Sequence, residues 1–274
     1  DHRTTGPSLN HQGSPMLQGC KKQLIAISLS LFAYSAIASD SSTQSELSVL
    51  LPEQGVRLDY DQPARLETVL KDVQLQAANQ GVNFEPLQAQ LFDLEKQAKV
   101  EALKQNVLSQ LAMLQEEDPE QQANLVAEQI NAAEFRYREF TSLDYDVVQS
   151  QLKENPLLNG QYQLNIGVRN DNVNFVGAIK HVESRPHRAQ WFLADYFRVL
   201  GDVRLNSASD SEAIVIQPDG EAQTAAYGHW NFTPHFLAPG ALVFIPFDSV
   251  PSELSTLNDD LTQLYRHKVT HNNE

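Results

Sequence analysis

Short strand-like runs occupy both ends of this sequence, and between them lies one long stretch with a different period. From Pro86 to Gln115, Leu87, Leu91, Leu94, Ala98, Val107, Leu111 and Leu114 fall at helical spacings, the repeat of one helix face. Glu116-Glu117-Asp118-Pro119-Glu120 closes this stretch and opens a second helix, because Asp is a good N-cap and Pro fits the first helical turn. The second helix is predicted to run to about Ala133. A helical hairpin over residues 84–133 therefore reads as an insertion into a domain whose other segments form strands.

Those flanking segments divide into two similar halves. Val49-Leu50-Leu51 and Val56-Arg57-Leu58 are predicted strands around the turn Pro52-Glu53-Gln54-Gly55. A helix follows, capped by Asp61, with Pro63 in its first turn and Leu66, Val69, Leu70 and Val73 on one face. Phe135 to Phe140 alternates aromatic with charged residues, a strand with one buried face. Asp144 or Asp146 caps a short helix ending near Asn155-Pro156. Tyr162, Leu164, Ile166 and Val168 alternate on one strand and Val173, Phe175 and Gly177 on the next, with Asn170-Asp171-Asn172 turning between them. His187 to Leu200 is predicted helical, with Trp191, Leu193, Tyr196 and Leu200 inward. Two strands around Gln217-Pro218-Asp219-Gly220, and a buried strand Ala241 to Ile245, complete the second half. Each half is then a small α+β unit of the β-grasp kind. Finally, Leu254, Leu257, Leu261 and Leu264 draw a narrow apolar stripe along a helix from Pro251 to Lys268.

The beginning of the sequence reads as a leader. Lys21-Lys22, an apolar stretch from Leu24 to Ala33, and Ala36-Ile37-Ala38 have the layout of a secretory signal peptide whose Ala-x-Ala cleavage site is Ala36 and Ala38. Residues 1–15 read as a tag or upstream residues and 16–38 as the signal peptide. The single cysteine, Cys20, precedes the apolar stretch and leaves with it. The remainder then has no thiol for disulfides, nucleophilic catalysis or metal ligation. Export with no cysteine points to the periplasm of a Gram-negative cell. Setting aside Arg3, Lys21, Lys22 and Asp1 leaves 17 basic and 34 acidic residues, a net charge of −17. Such a surface repels nucleic acid and anionic headgroups, and membrane contact is expected only through a partner. Lys180, Arg185, Arg188, Arg198 and Arg204 make the one basic stretch, read as a solvated face.

Candidate chemistry is sparse. Gln217-Pro218-Asp219-Gly220 is explained as a tight turn, since Pro fixes φ, Asp bonds its own backbone and Gly accepts positive φ. Trp230 reads as a core aromatic, or with Asn231 as a platform and hydrogen-bonding partner for a sugar ring. His229 has no cysteine or nucleophile near it in sequence. Asp59-Tyr60-Asp61 and Asp144-Tyr145-Asp146 fit a D-x-D pattern, and both sit where a strand hands over to a helix and a cap is expected. His181, Glu183 and His187 match no strong zinc spacing. No G-x-S-x-G, P-loop or G-x-G-x-x-G occurs. No cofactor or metal is expected.

The ordered set Arg138, Leu143-Asp144-Tyr145-Asp146, then Asn155-Pro156-Leu157-Leu158-Asn159-Gly160-Gln161-Tyr162-Gln163-Leu164 resembles the signature of the GfcC/YjbG-like capsule biosynthesis family. Val176-Gly177-Ala178-Ile179, the Val215-to-Gly220 turn, Trp230-Asn231 and Pro239-Gly240-Ala241 continue in the same order. Tyr145 stands where the family often has proline, and Gly228-His229 where it tends to have Ala-Tyr. The resemblance implies an α+β fold of two β-grasp-like domains, a helical hairpin insertion in the first and a C-terminal amphipathic helix. On this sequence the domains are expected at 39–158 and 159–248, with the helix and tail at 249–274. It also implies a non-enzymatic periplasmic accessory in assembly or export of capsule, O-antigen capsule or exopolysaccharide. Its partners would be the polysaccharide, outer-membrane export components, or both.

Arg138 is the residue the resemblance carries over, either forking onto a sugar carboxylate or phosphate or fixing domain orientation through an ion pair. The Leu254, Leu257, Leu261 and Leu264 face packs on the parent domain or docks a partner. The competing expectation is an enzyme that modifies or trims the polymer, using Arg138 with Glu134, Asp144 or Asp146.

Overall fold

Pro52 to Gly55 turns the first two strands as its composition predicts, with Gly55 at φ 62 and its N–H donating to the Pro52 carbonyl. The computed structural model describes residues 45–167 and 169–271, so the expected leader, Cys20, the Ala36/Ala38 site and Val168 lie outside the described residues. In chain order the first part contains β1 (Leu47–Leu51), β2 (Val56–Tyr60), β3 (Ala64–Arg65), α1 (Leu66–Asn79) and β4 (Gln90–Asp93). The paired helices α2 (Gln97–Glu117) and α3 (Ala123–Ala132) follow, then β5 (Arg138–Glu139) and α4 (Tyr145–Ser150). Next come β6 (Leu157–Leu158) and β7 (Gly160–Asn165). The second part runs β8 (Asn172–Gly177), β9 (Glu183–Pro186), α5 (Leu193–Leu200), β10 (Glu212–Ile216), β11 (Ala222–Ala226), β12 (Leu242–Ile245) and α6 (Leu257–Arg266).

The two five-stranded sheets have one connectivity. The first is ordered β2-β1-β7-β4-β5 and the second β11-β10-β12-β8-β9. In each, an antiparallel hairpin leads to a helix, two antiparallel strands follow, and the last strand enters beside the first and parallel to it. This is the β-grasp arrangement, twice, and the α+β expectation holds. The expected boundary between 158 and 159 moves, because β7 is the central strand of the first sheet. The runs on either side of Asn170-Asp171-Asn172 look like a hairpin locally. They are instead interior strands of different sheets, and the turn between them is the linker.

The helical insertion also starts later than its spacing suggests. Leu91 lies in β4, between β7 and β5, and Leu87 is exposed. Leu87, Leu91 and Leu94 mimic a helical repeat only because β4 is buried on both faces, which erases the two-residue alternation. Pro119 opens a short 3-10 turn capped by Asp118, and Gln122 at φ 54 breaks it from α3. Helix α5 begins at Leu193 rather than His187. The start of α1 is capped by Asn155, whose Oδ1 accepts the Glu67 N–H at 3.1 Å, and not by Asp61. Pairing of β3 with β6 brings that distant residue to the helix. Asp144 does cap α4, accepting from the N–H groups of Asp146 and Val147.

Although the insertion interrupts the first sheet, it packs on the second. Val107, Leu111, Leu114, Val126 and Ile130 share one core with Phe175, Val215 and Phe244 of the second sheet. Phe175 meets Tyr196 of α5 at 6.0 Å, while Phe244 meets Tyr265 of α6 at 5.3 Å. Paired residues on neighbouring strands point the same way, and Phe244 pairs with Val176, next to Phe175. The two rings therefore leave opposite faces, and both faces of the second sheet are covered. Leu254, Leu257, Leu261 and Leu264 are all buried in this core. The stripe offered as a docking face is closed by the chain itself, with Asp260 of α6 accepting from Gln110 of α2 at 2.7 Å.

Glutamine side chains tie these layers together. Gln129 of α3 donates to the Gly177 carbonyl and accepts the Gly177 N–H, both at 2.9 Å. Gln97 donates to the Phe135 carbonyl at 3.0 Å and accepts from the Tyr137 N–H at 3.2 Å. Gln90 donates to Lys268 O at 3.0 Å and accepts from Thr270 N at 2.9 Å. A side-chain amide has the donor and acceptor of a peptide group, so each of these residues pairs with backbone as a short strand would. Replacing Gln129 with Ala is expected to cost about 1–3 kcal/mol, because the Gly177 N–H loses its acceptor and the Gly177 carbonyl keeps only the Ile179 N–H. Urea unfolding checks this against Gln105→Ala, whose exposed bond to Glu101 is worth less than about 0.5 kcal/mol.

Candidate functional site

Arg138 lies on the face of the first sheet turned away from α1. Register places it beside Phe92, and Phe92 beside Gln163, with Gln90 beside Asn165. All five are buried, Arg138 at 6% exposure. The expected alternation is thus inverted here, with Arg138 inside and Phe140 outside. The arginine reaches across to the second domain, where Nη2 donates to the Pro218 carbonyl at 2.5 Å. Arg266, at the end of α6, donates from Nε to the Gly220 carbonyl at 2.8 Å. Its guanidinium lies 4.1 Å from the Phe140 ring centroid and that of Arg138 lies 5.8 Å from it.

The Pro-Asp-Gly turn is therefore a hairpin turn and a docking point at once. Gly220 sits at φ 88, and a Cβ there would meet the Phe140 ring at 2.6 Å. Asp219 accepts the Glu221 N–H within the turn. Burial pushes the Arg138 guanidinium down to about 10, with Asp219 opposing and Arg266 adding to the shift. His267 accepts the backbone N–H of Arg138 on Nδ1 at 3.0 Å and stacks on Tyr137 at 5.2 Å. Burial, then the charges of Arg266 and Arg138, hold its imidazole down at about 4, so it is neutral at pH 7. This cluster joins the two domains. Arg138 is buried in this junction and bonded to a backbone carbonyl of the second domain.

Trp230 and Asn231 lie elsewhere. They follow β11, whose last residue Ala226 pairs with Glu212 at the end of the hairpin opposite Pro218. Five strand residues, at ~3.3 Å each, separate the two ends, so Arg138 and Trp230 share no site. Trp230 is 76% exposed, which overturns its reading as a core aromatic. Phe232 and Phe236 are exposed in the same loop. Phe192 lies between their rings, 6.1 Å from Phe232 and 4.7 Å from Phe236. Sequence reasoning missed Phe232 and Phe236; the run Trp-Asn-Phe-Thr-Pro-His-Phe, which alternates like a strand but carries Pro234 at its centre, was the available signal. Asn231 turns inward, donating to the Ser211 carbonyl at 3.4 Å, so it holds the loop.

The remaining candidates are occupied locally. Glu134 pairs with Arg136 at 2.7 Å, and Asp144 is the α4 cap. Asp59 pairs with Arg57 at 2.8 Å and lines, with Asp61 and Glu95, a polar cleft of about 660 Å³. His181 pairs with Glu183 at 2.5 Å, while His187 Nε2 meets the Leu237 carbonyl at 2.8 Å. Among the described residues no cluster of His, Cys, Asp and Glu could hold a metal ion. No described helix is long and apolar enough to cross a membrane.

Two β-grasp domains, one wearing the other's helical insertion, define the class of protein. The sequence matches the family described as capsule biosynthesis GfcC, N-terminal, over residues 43–169 and its C-terminal counterpart over 181–270. The chain belongs to the GfcC capsule-biosynthesis family, and the first match ends between β7 and β8, where the sheets divide. It is also similar to YjbG of Escherichia coli (strain K12), 32% identical over 149 residues, which are 53% of this chain and 60% of that protein. The matched region is thus less than two thirds of that relative's length. Family membership supports a role in capsule polysaccharide assembly.

Two outcomes follow for the junction. Arg138→Met is expected to cost about 1–3 kcal/mol in urea unfolding, against less than about 0.5 for the more exposed Arg136→Met. For His267, the folded state resists protonation, so the unfolded chain binds more protons between its own value of 6.5 and the folded value of about 4. Stability from this group is complete above 6.5 and is lost as pH falls toward 4. Thermal melts across that window should show a shallower decline in His267→Asn, whose amide oxygen can still accept the Arg138 N–H.

Proposed function

We propose that this chain is a non-catalytic accessory of capsule, O-antigen capsule or exopolysaccharide assembly or export, acting in the periplasm, and that its second domain holds the glycan. The observation that carries this reading is the exposure of Trp230, Phe232 and Phe236 in one loop. Large aromatics seldom gather at a surface without a partner, and their flat faces suit the C–H faces of sugar rings. Both faces of the second sheet and the α6 stripe are already covered by the chain itself, and among the described residues this loop brings together three exposed aromatic rings. Periplasmic action rests on the basic, apolar and Ala-x-Ala order of residues 21–38. Against an enzymatic role stand the local engagements of Arg138, Glu134 and Asp144, each a bond or cap within the fold.

Titration calorimetry of the purified protein with capsule polysaccharide tests the reading. Trp230→Ala is expected to weaken binding about tenfold, the loss typical of an aromatic anchor, without moving the melting temperature. Arg138→Met should leave affinity unchanged in whatever fraction remains folded. Binding that is indifferent to Trp230→Ala, or shortening of the polymer during the titration, would overturn it.

A further inference from the structure

The basic stretch of the second domain is less uniform than its sequence. Lys180 pairs with Asp202 at 2.8 Å, Arg185 with Glu183, Arg198 with Asp195, and Arg204 with Asp210 at 3.3 Å. Arg188 is exposed and, among the described residues, pairs with no carboxylate. Its guanidinium is nonetheless placed, lying 4.8 Å from the centroid of the Trp191 ring. Trp191 is itself held edge-on against Tyr196 at 5.1 Å, and the Tyr196 hydroxyl accepts the backbone N–H of Arg188 at 2.8 Å.

This cation borders the aromatic loop. The neighbouring His187 bonds to the carbonyl of Leu237, the residue after Phe236. Phe192, next to Trp191, makes an isolated β-bridge with Phe236 and touches the Phe232 ring. In a chain of net charge −15, acids are available to pair a surface arginine, and four neighbouring cations have found them. A guanidinium that is stacked on an aromatic ring and left without a carboxylate is pre-set to fork onto one supplied from outside.

We propose that the glycan held on this face is acidic, with Arg188 taking the carboxylate of a uronic-acid residue while the loop aromatics take sugar rings. This rests on the glycan-binding reading above and names the substrate class for the same face. The overall negative charge makes the preference local: a polyanion is repelled at distance and must be recognised by a placed cation at contact.

The test compares an oligoglucuronate with its carboxyl-reduced, neutral counterpart of equal length, titrated into the purified wild-type protein and into Arg188→Gln, Arg188→Lys and Trp230→Ala. Wild type is expected to prefer the acidic oligosaccharide by about tenfold or more, as for a charge-assisted bidentate contact. Arg188→Gln should bring the two affinities together by weakening only the acidic one, and Arg188→Lys should restore part of the preference. Raising salt from 0.05 to 0.5 M should narrow it in wild type. Equal affinities in wild type, or a preference that survives Arg188→Gln, would sink the acidic-glycan proposal while binding to the Trp230 face stood. No binding of either oligosaccharide, with Trp230→Ala indistinguishable from wild type, would remove the glycan reading and this inference with it.

Discussion

The arrangement of this protein depends on side-chain amides standing in for backbone. Gln90, Gln97 and Gln129 each give one donor and one acceptor to main-chain groups of another segment. Gln88 does the same across the linker, accepting from Asn170 N and donating to the Asn170 and Pro239 carbonyls. Gln217 brackets the loop after β11, accepting from Ala238 N and donating to Phe236 O. A buried backbone group without a partner is costly, and segments that cross between modules cannot pair with a regular strand. An amide on a flexible stem reaches them, and its two-point geometry fixes register as well as contact.

That device explains how two small domains become one unit. The described residues form a single compact body, yet the first sheet's outer face carries the polar Gln90, Arg138, Gln163 and Asn165 beside Phe92. An interface of this kind is directional, since each group must meet a named partner. The Pro218 carbonyl, taken by Arg138, and the Phe140 ring, under the Arg266 guanidinium, lock the second domain's hairpin and α6 to the first. The apolar counterpart is the insertion, which leaves the first sheet between β4 and β5 and supplies core to the second. Neither domain completes its own surface alone.

Such closure decides where function has room. With both faces of the second sheet and the α6 stripe covered, the loop after β11 stands out among the described residues for its three exposed rings. Arg138, prominent in the family resemblance, serves the junction. The loop and its neighbour Arg188, stacked on Trp191 and with no carboxylate partner among the described residues, form a surface of a different kind, built from rings and one placed cation. Separation of these two regions by the length of a hairpin means that one can be altered without disturbing the other.

Most local structure was legible in the sequence. The Pro52–Gly55 hairpin, the buried face of α1, the Asp144 cap, the Pro-Asp-Gly turn and the α6 stripe all follow from turn chemistry and period, which act over a few residues. So did the pairing of two small α+β units. What the sequence could not supply was which segments meet. Leu91 looked helical because β4 is buried on both faces. The strand holding Tyr162 and Leu164 looked like the first of the second domain, although its parallel partner is β1, more than a hundred residues earlier. Arg138 is buried, Trp230 exposed and the Leu254–Leu264 face closed because of partners far along the chain, and no local pattern encodes those. The sequence by itself determined the kinds of element and the turns between them, since those are set by each residue's own backbone preferences and near neighbours. Tertiary structure alone decided which sheet each strand joined and which side chains were left facing water, because both depend on contacts that exist only once distant segments have packed.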